Sequence, residues 1–178
     1  MNRIQKKSIW RYSLLSLSIF VSIAKASYGF EIGSGVSAVE DGDDRVRPAA
    51  VIHASTASGI TNRFLFYGRD FGPVKERNYV LSISKRWDVG SKTWQGLVGG
   101  AVMADQTEIT FPNSPADNTS YTSTNFGMNF GLHWLAYETK VVQLKATWDG
   151  YIFPAGTGFI FLANARKSAL GLMLQTQF

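Results

Sequence analysis

The stretch from Lys167 to Phe178 reads KSALGLMLQTQF, and its polarity alternates from one residue to the next. Successive side chains of an extended chain point to opposite faces. One face carries Leu170, Leu172, Leu174, Thr176 and Phe178, and the other carries the mostly small or polar residues Gly171, Met173, Gln175 and Gln177. We therefore predict a β-strand here that has one apolar face.

Seven earlier segments show the same alternation. It is clearest between Tyr121 and Tyr137, where every second residue from 126 to 134 is large and apolar. The seven predicted strands are 27–39, 48–57, 60–70, 77–88, 94–105, 121–137 and 141–153. Short connections, such as Ser58-Gly59 and residues 89–93, alternate with mostly longer ones, such as Thr107 to Ser120 and Pro154 to Arg166. An even number of strands with this alternation of loop lengths is typical of membrane β-barrels.

The first 26 residues have the layout of a secretory signal peptide. Basic residues precede the apolar run from Leu14 to Ala24, and Ala24-Lys25-Ala26 has small residues at the positions that a signal peptidase reads. We predict a signal peptide from Met1 to Ala26 and a single domain over residues 27–178. The alternative, an N-terminal membrane anchor, would need an apolar run of about 20 residues.

Removal of this segment changes what the charge implies. The full chain has 18 basic and 13 acidic residues, but five of the basic residues lie in the first 26, which leaves 13 of each sign. The sequence therefore gives no reason to expect a nucleic-acid partner. With no cysteine, the chain can form neither disulfides nor thiolate metal sites. A membrane-embedded form would have to be a closed barrel, since no later segment has 18 consecutive apolar residues.

The apolar face of the strands could meet lipid or could form the core of a secreted soluble barrel. The opposite face is rich in Gly, Ser, Ala and Asn, which suits the narrow interior of an eight-stranded membrane barrel. Aromatic residues on the apolar face also cluster near the short turns and the chain ends. We predict that they form an interfacial girdle, made of Tyr28, Trp87, Trp94, Trp134 and Phe178, with Tyr79 and Trp148 toward the other rim.

Six ionisable residues fall on the interior face at similar distances from the short turns: Glu31, His53, Arg63, Arg86, His133 and Lys145. Buried charges are tolerated when they are paired and hydrogen-bonded. We predict a polar network centred on Glu31, with Arg63, Arg86 or Lys145 as its partners, which fills the barrel rather than forming an ion pathway. Asp149, Asp105 and Arg69 are expected to form a second cluster nearer the outer rim.

Two other readings of this face involve its histidines. The spacing of His53 and Ser55 matches that of the catalytic pair in lipid A deacylase barrels, and Glu31 could orient the histidine, but the triplet stands on the second strand and points inward. His53 and His133 could bind a metal, but no acidic or thiolate ligands lie nearby at a recognisable spacing. We predict no catalytic residue, no metal and no cofactor.

Together these features resemble the small eight-stranded outer-membrane β-barrel family that includes the OmpA transmembrane domain and OmpX. The resemblance implies an all-β, antiparallel, up-and-down transmembrane barrel in the bacterial outer membrane, surrounded by lipid and lipopolysaccharide. It also implies that the barrel-assembly machinery recognises Lys167 to Phe178.

For function, the primary hypothesis is a non-enzymatic barrel that supports the envelope or binds a surface partner through Thr107 to Ser120 and Pro154 to Arg166. A narrow pore and, less favoured, a lipid-modifying enzyme that uses His53 and Ser55 are the alternatives. The apolar segment from Phe159 to Leu162 could pack on the rim or contact a partner.

Overall fold

The computed structural model describes residues 30–40, 46–153 and 165–177. They form eight strands, which pair with their neighbours in sequence and close into one barrel in which every pair is antiparallel. The strands are β1 (Phe30–Glu40), β2 (Val46–Thr56), β3 (Ile60–Phe71), β4 (Val74–Val89), β5 (Ser91–Ile109), β6 (Thr119–Glu138), β7 (Val142–Phe153) and β8 (Ala165–Gln177). The predicted fold class, an eight-stranded antiparallel up-and-down β-barrel, is confirmed.

Closure occurs between the first and last strands. β1 pairs with β8 from Glu31 opposite Gln177 to Glu40 opposite Ser168. The C-terminal strand, predicted from Lys167 to Phe178, therefore closes the sheet. The predicted signal peptide, Tyr28, Phe178 and Phe159 to Leu162 lie outside the described residues. No helix in the described ranges is long and apolar enough to cross a membrane.

Several predicted connections are shorter than expected. Residues 71–76 were predicted to be a loop, but only Gly72 and Pro73 separate β3 from β4. The segment from Thr107 to Ser120 was predicted to be a loop, but β5 continues to Ile109 and β6 begins at Thr119, so only residues 110–118 connect them, including a short 3-10 helix, Pro115–Asp117. Residues 89–93 were predicted to be a turn, but Gly90 alone separates β4 from β5. Its φ of 71° is a left-handed conformation that glycine adopts without strain.

The alternation read from the sequence sets the two surfaces of the barrel. Leu170, Leu172 and Leu174 are exposed on the outside, whereas Met173 and Gln175 are buried inside. A soluble barrel would bury its apolar face, and this barrel exposes it. The outward side chains form a mostly apolar belt, with Ser34 on β1 and Asn62 on β3 as exceptions. The belt gives way to polar residues beyond Phe66 on β3, Tyr79 on β4, Ala104 on β5 and Phe126 on β6.

Some interior glycines are required by the backbone rather than by a lack of room for side chains. A Cβ on Gly99 would collide with the Ile83 carbonyl and the Ser84 Cα of β4, and a Cβ on Gly35 would collide with the Leu172 carbonyl of β8. Neighbouring strands of a small closed barrel curl tightly, so glycine at these points allows their backbones to approach.

A charge placed in the belt tests the orientation of the wall. We expect Leu172→Arg to lower the free energy of unfolding in lipid vesicles by about 2–4 kcal/mol, because the guanidinium would lie in hydrocarbon. Thr122→Arg on β6, beyond the belt, is the control and should change stability by less than about 1 kcal/mol. Equal effects of the two substitutions, measured by urea titration, would show that the belt does not face lipid.

Candidate functional site in the barrel interior

The half of the interior nearer the long connections is closed by apolar side chains. Tyr67, Tyr151, Phe153, Leu65 and Met103 are all at most 3% exposed and belong to one hydrophobic cluster, here called the apolar plug. The rings of Tyr151 and Phe153 stack with their centroids 6.4 Å apart. Lys167 Nζ donates a hydrogen bond to the Tyr67 hydroxyl at 2.6 Å. This plug was not predicted from the sequence.

On the side of the plug nearer the short turns lies a layer of buried charged residues, here called the charged layer, which is built around an ion pair between Arg63 and Asp149. Arg63 of β3 donates to Asp149 of β7, and the two side chains are 2% and 0% exposed. Arg63 also donates to the Thr147 hydroxyl at 3.2 Å. His133 Nε2 lies 3.1 Å from the other Asp149 oxygen and 3.0 Å from Arg63 Nη1. The carboxylate is thus held between a guanidinium and an imidazole.

The two contacts of His133 Nε2 require opposite tautomers of the imidazole ring. Its Nδ1 is buried and has no hydrogen-bond partner among the described residues. The Arg63 guanidinium can only donate to Nε2, whereas the Asp149 carboxylate can only accept from it. The neutral ring therefore carries its proton on Nδ1 when Nε2 accepts from Arg63, and on Nε2 when it donates to Asp149.

A second charged group lies nearer the short turns. Glu31 of β1 accepts a hydrogen bond from Arg86 of β4, and Lys145 Nζ of β7 lies 4.0 Å from the same carboxylate oxygen. Lys145 also donates to Gln95 Oε1 at 3.0 Å. Two of the three predicted candidates thus contact Glu31, whereas Arg63 pairs with Asp149.

The predicted position of Asp149 in a cluster with Asp105 and Arg69 near the outer rim is wrong. Asp149 belongs to the buried layer around Arg63. Arg69 pairs with Glu76, with Nε–Oε2 and Nη2–Oε1 distances of 2.6 and 2.8 Å. Asp105 accepts a hydrogen bond from Asn125 at 3.2 Å. Counting from the turns failed because the strands are staggered: Gly131, near the middle of β6, is opposite Asp149.

Outside the belt, the β3–β4 hairpin carries another ion pair. Arg77 Nη1 lies 2.6 Å from Asp70 Oδ1. The hydrogen bond from Arg77 lowers the pKa of the Asp70 carboxyl and raises that of the guanidinium. Together with the Arg69–Glu76 pair, this contact ties the tip of the hairpin together.

The geometry of His53 and Ser55 does not fit a catalytic pair. His53 Nε2 is 2.8 Å from Ser55 Oγ, which is also 2.9 Å from Thr61 Oγ1. Both side chains are at most 1% exposed, so a lipid substrate has no access. Catalysis would need a third group to orient the histidine, but His53 Nδ1 has no partner within the described chain and Glu31 lies against Arg86.

A metal site finds little support in the same region. The rings of His53 and His133 have centroids 6.4 Å apart. Within residues 30–40, 46–153 and 165–177, no three His, Cys, Asp or Glu side chains are grouped so that they could hold a metal ion.

The described girdle residues lie on the outside near the short turns. Trp94 and Trp134 stack with ring centroids 6.2 Å apart, and Trp87 covers Gly96. Tyr137 also faces outward and is 61% exposed, because a register shift between Leu135 and Tyr137 reverses the alternation. Lys85 Nζ donates to the Ser58 carbonyl in the β2–β3 turn, so its charge reaches the edge of the belt.

Solved structures share this architecture. No protein-family model and no curated protein sequence matches the chain. The chain has the fold of the small outer-membrane β-barrels. Neisserial surface protein A matches with 13% identity and a TM-score of 0.51, over 84% of this chain and 96% of that protein. Ail, the attachment invasion locus protein of Yersinia pestis, matches with 11% identity and a TM-score of 0.51, over 85% and 99% of the two chains.

A major outer membrane protein from Thermus thermophilus matches with 11% identity and a TM-score of 0.56, over 84% of this chain and 99% of that one. The resemblance predicted from the sequence is therefore confirmed at the level of the fold. A closed barrel that exposes an apolar belt is suited to a lipid bilayer, because closure pairs the backbone polar groups of each strand with those of its two neighbours within the belt. The fold and the belt together support the predicted location in the bacterial outer membrane.

Removing one member of the buried ion pair should destabilise the barrel. We expect Asp149→Leu to cost about 3–5 kcal/mol of unfolding free energy, because it leaves the Arg63 charge buried without its partner. The double variant Arg63→Met/Asp149→Leu should recover much of that loss. Glu76→Ala, which breaks a partly exposed pair, is the control and should cost at most about 1 kcal/mol. If urea unfolding gives equal losses for the single and double variants, the pair is not the stabilising unit.

Proposed function

We propose that the chain is a non-enzymatic barrel of the bacterial outer membrane that presents a surface for contact with another protein. The observation that carries this proposal is the length of its central strands. A strand crosses the hydrocarbon in about 9–11 residues, whereas β5 has 19 residues and β6 has 20. Their outward side chains become polar beyond Ala104 and Phe126, so β3 to β6 continue past the belt as a sheet, here called the projecting sheet.

One edge of the projecting sheet suits the addition of a strand. β6 pairs with β5 as far as Thr119, but its pairing with β7 reaches only Met128. Residues 119–126 read TSYTSTNF and contain no proline or charge. Natural sheets usually protect exposed edges with such residues. In the described part of the chain no strand covers this edge, which could therefore bind an extended polypeptide through backbone hydrogen bonds.

The proposal also assigns a molecular contact to each part of the barrel. Outer-membrane lipid contacts the belt, and lipopolysaccharide lies around the base of the projecting sheet. The assembly machinery recognises Lys167 to Phe178, the segment that contributes most of β8. A surface partner contacts the tip of the projecting sheet, within the predicted region from Thr107 to Ser120, and the region from Pro154 to Arg166.

The edge can be blocked without disturbing the sheet. We expect the double variant Thr122→Lys/Thr124→Lys to reduce adherence of protein-producing bacteria to an epithelial cell layer about tenfold, which corresponds to the loss of one or two backbone hydrogen bonds. Gln106→Lys is the matched control, because Gln106 is opposite Thr122 on β5, which is paired on both sides. Its adherence should equal that of the wild type.

Detergent sensitivity of the same strains separates the two parts of the primary hypothesis. If adherence is unchanged in every variant but bacteria that lack the protein become sensitive to detergent, the barrel supports the envelope and the edge is not a contact surface. Heat-modifiable electrophoretic mobility provides the control that each variant is folded.

The apolar plug bears on the alternative of a narrow pore. Ions would have to pass Tyr67, Tyr151 and Phe153, which fill the interior. Eight strands leave just enough room for side chains. We therefore expect the purified protein to give no discrete conductance steps in planar bilayers. Steps that change in Arg63→Gln would contradict this expectation and show that ions pass the charged layer.

A further inference from the structure

The lipid-facing wall of the barrel contains a groove. This feature, here called the belt groove, runs across the outside from Trp94 on β5, past Trp134, Trp148 and Leu172, to Pro48 on β2. Its volume is about 810 Å³. Small-molecule sites in proteins typically occupy roughly 300–1,000 Å³, so the belt groove is large enough to be a binding site.

Small side chains produce the depression. Ala146 on β7 is opposite Trp134 on β6 and Leu172 on β8. In the neighbouring row of paired residues, Ala38 on β1 stands between Pro48 on β2 and a leucine on β8. Both alanines face outward. Because each is flanked by larger side chains on both adjacent strands, the wall is recessed along a narrow path.

The two ends of the belt groove lie near opposite interfaces of the membrane. Trp94 and Trp134 belong to the girdle near the short turns, whereas Pro48 lies near the start of β2 at Val46. Strands of membrane barrels are tilted by about 35–45°, so a row of paired residues also runs obliquely to the membrane plane. A flexible chain that enters at one interface can therefore follow the groove through the hydrocarbon layer.

The position of the belt groove in hydrocarbon limits what can fill it. A polypeptide segment would bring backbone N–H and C=O groups into lipid without partners, which is strongly unfavourable. A second barrel would present a convex wall, which cannot enter a narrow recess. A lipid acyl chain has no polar group to satisfy and is flexible, so it fits both the chemistry and the shape.

Charge distinguishes the two membrane leaflets as the source of that chain. Lys92 lies two residues before Trp94 on the same outward face of β5 and is exposed. At the other end, Glu40 is opposite Val46, faces outward and is exposed. A lipid phosphate is attracted by the Lys92 ammonium and repelled by the Glu40 carboxylate. These charges favour a lipid whose headgroup lies on the side of the short turns, which in membrane barrels is the periplasmic side.

We propose that the belt groove binds one acyl chain of a glycerophospholipid of the periplasmic leaflet, with the lipid phosphate at Lys92. The rings of Trp94 and Trp134, stacked 6.2 Å apart, then lie at the level of the lipid glycerol. Indole rings favour this interfacial depth. Such a lipid stays at one place on the wall, whereas lipids around the rest of the belt exchange freely.

Native mass spectrometry tests the site. The mature barrel, refolded without lipid in detergent micelles, is titrated with dioleoyl-phosphatidylglycerol, and bound lipids are counted. The wild type should bind one lipid at a lower concentration than any further lipid. Gradual uptake of several lipids with no distinct first site would overturn the proposal.

A substitution that fills the groove provides the selective test. Ala146→Phe should raise the dissociation constant of the first lipid about tenfold, because excluding roughly two methylene groups removes that much affinity. Ala54→Phe is the matched control, since Ala54 faces outward on β2 but does not line the groove, and it should bind like the wild type. Ala146→Leu replaces the first variant if that protein lacks heat-modifiable mobility. Equal affinities of the Ala146 and Ala54 variants would contradict the site.

The position of the headgroup has its own test. Lys92→Gln should weaken binding about fivefold, the contribution expected of one lysine near an anionic lipid surface. Lys75→Gln, on β4 beyond the belt, is the control and should have no effect. A parallel titration with hexa-acylated lipid A distinguishes the leaflets. Tighter binding of lipid A, or binding that does not respond to Lys92→Gln, would overturn the assignment to a periplasmic-leaflet lipid.

Discussion

The backbone hydrogen bonds between β1 and β8 are the constraint on which the rest of the structure depends. A sheet in hydrocarbon cannot leave an open edge, because each unpaired N–H or C=O group would cost several kcal/mol. Pairing from Glu31–Gln177 to Glu40–Ser168 removes both edges of the sheet. Once the sheet is closed, alternate residues of every strand must face either lipid or a narrow interior. This division explains why Leu172 is exposed whereas its neighbour Met173 is buried.

Closure at eight strands also determines what the interior can do. The space is filled by side chains, so a charge inside must find its partner on another strand. Arg63 and Asp149 lie on β3 and β7, and Glu31 and Arg86 lie on β1 and β4, so both pairs cross the interior. Separating either pair would leave a buried charge without its partner, and this cost keeps the layer rigid. Such a packed layer, closed on one side by aromatic rings, is suited to stabilising the barrel.

Much of the fold could be predicted from the sequence because lipid enforces the alternation. Phe126 to Trp134 and Leu170 to Leu174 show it without a break, and both lie on strands of the structure. The signal disappears beyond the belt, where both faces of a strand meet water. Residues 119–124 are therefore polar on both faces, and the start of β6 was placed two residues late. The length of the turn at Gly90 was overestimated for a similar reason, since Ser91 and Lys92 are polar although they belong to β5.

The interior contacts were harder to predict because they depend on how far each strand is shifted against the next. The sequence identified Glu31, Arg86 and Lys145 as neighbours, because all three lie close to the short turns. It placed Asp149 near the outer rim, although the stagger brings this residue to Arg63. Parity alone also could not reveal the apolar plug, since Tyr67 and Tyr151 alternate with outward residues like any other interior positions. Polarity patterns along each strand thus define the two faces of the barrel, whereas the register between strands determines which buried groups meet.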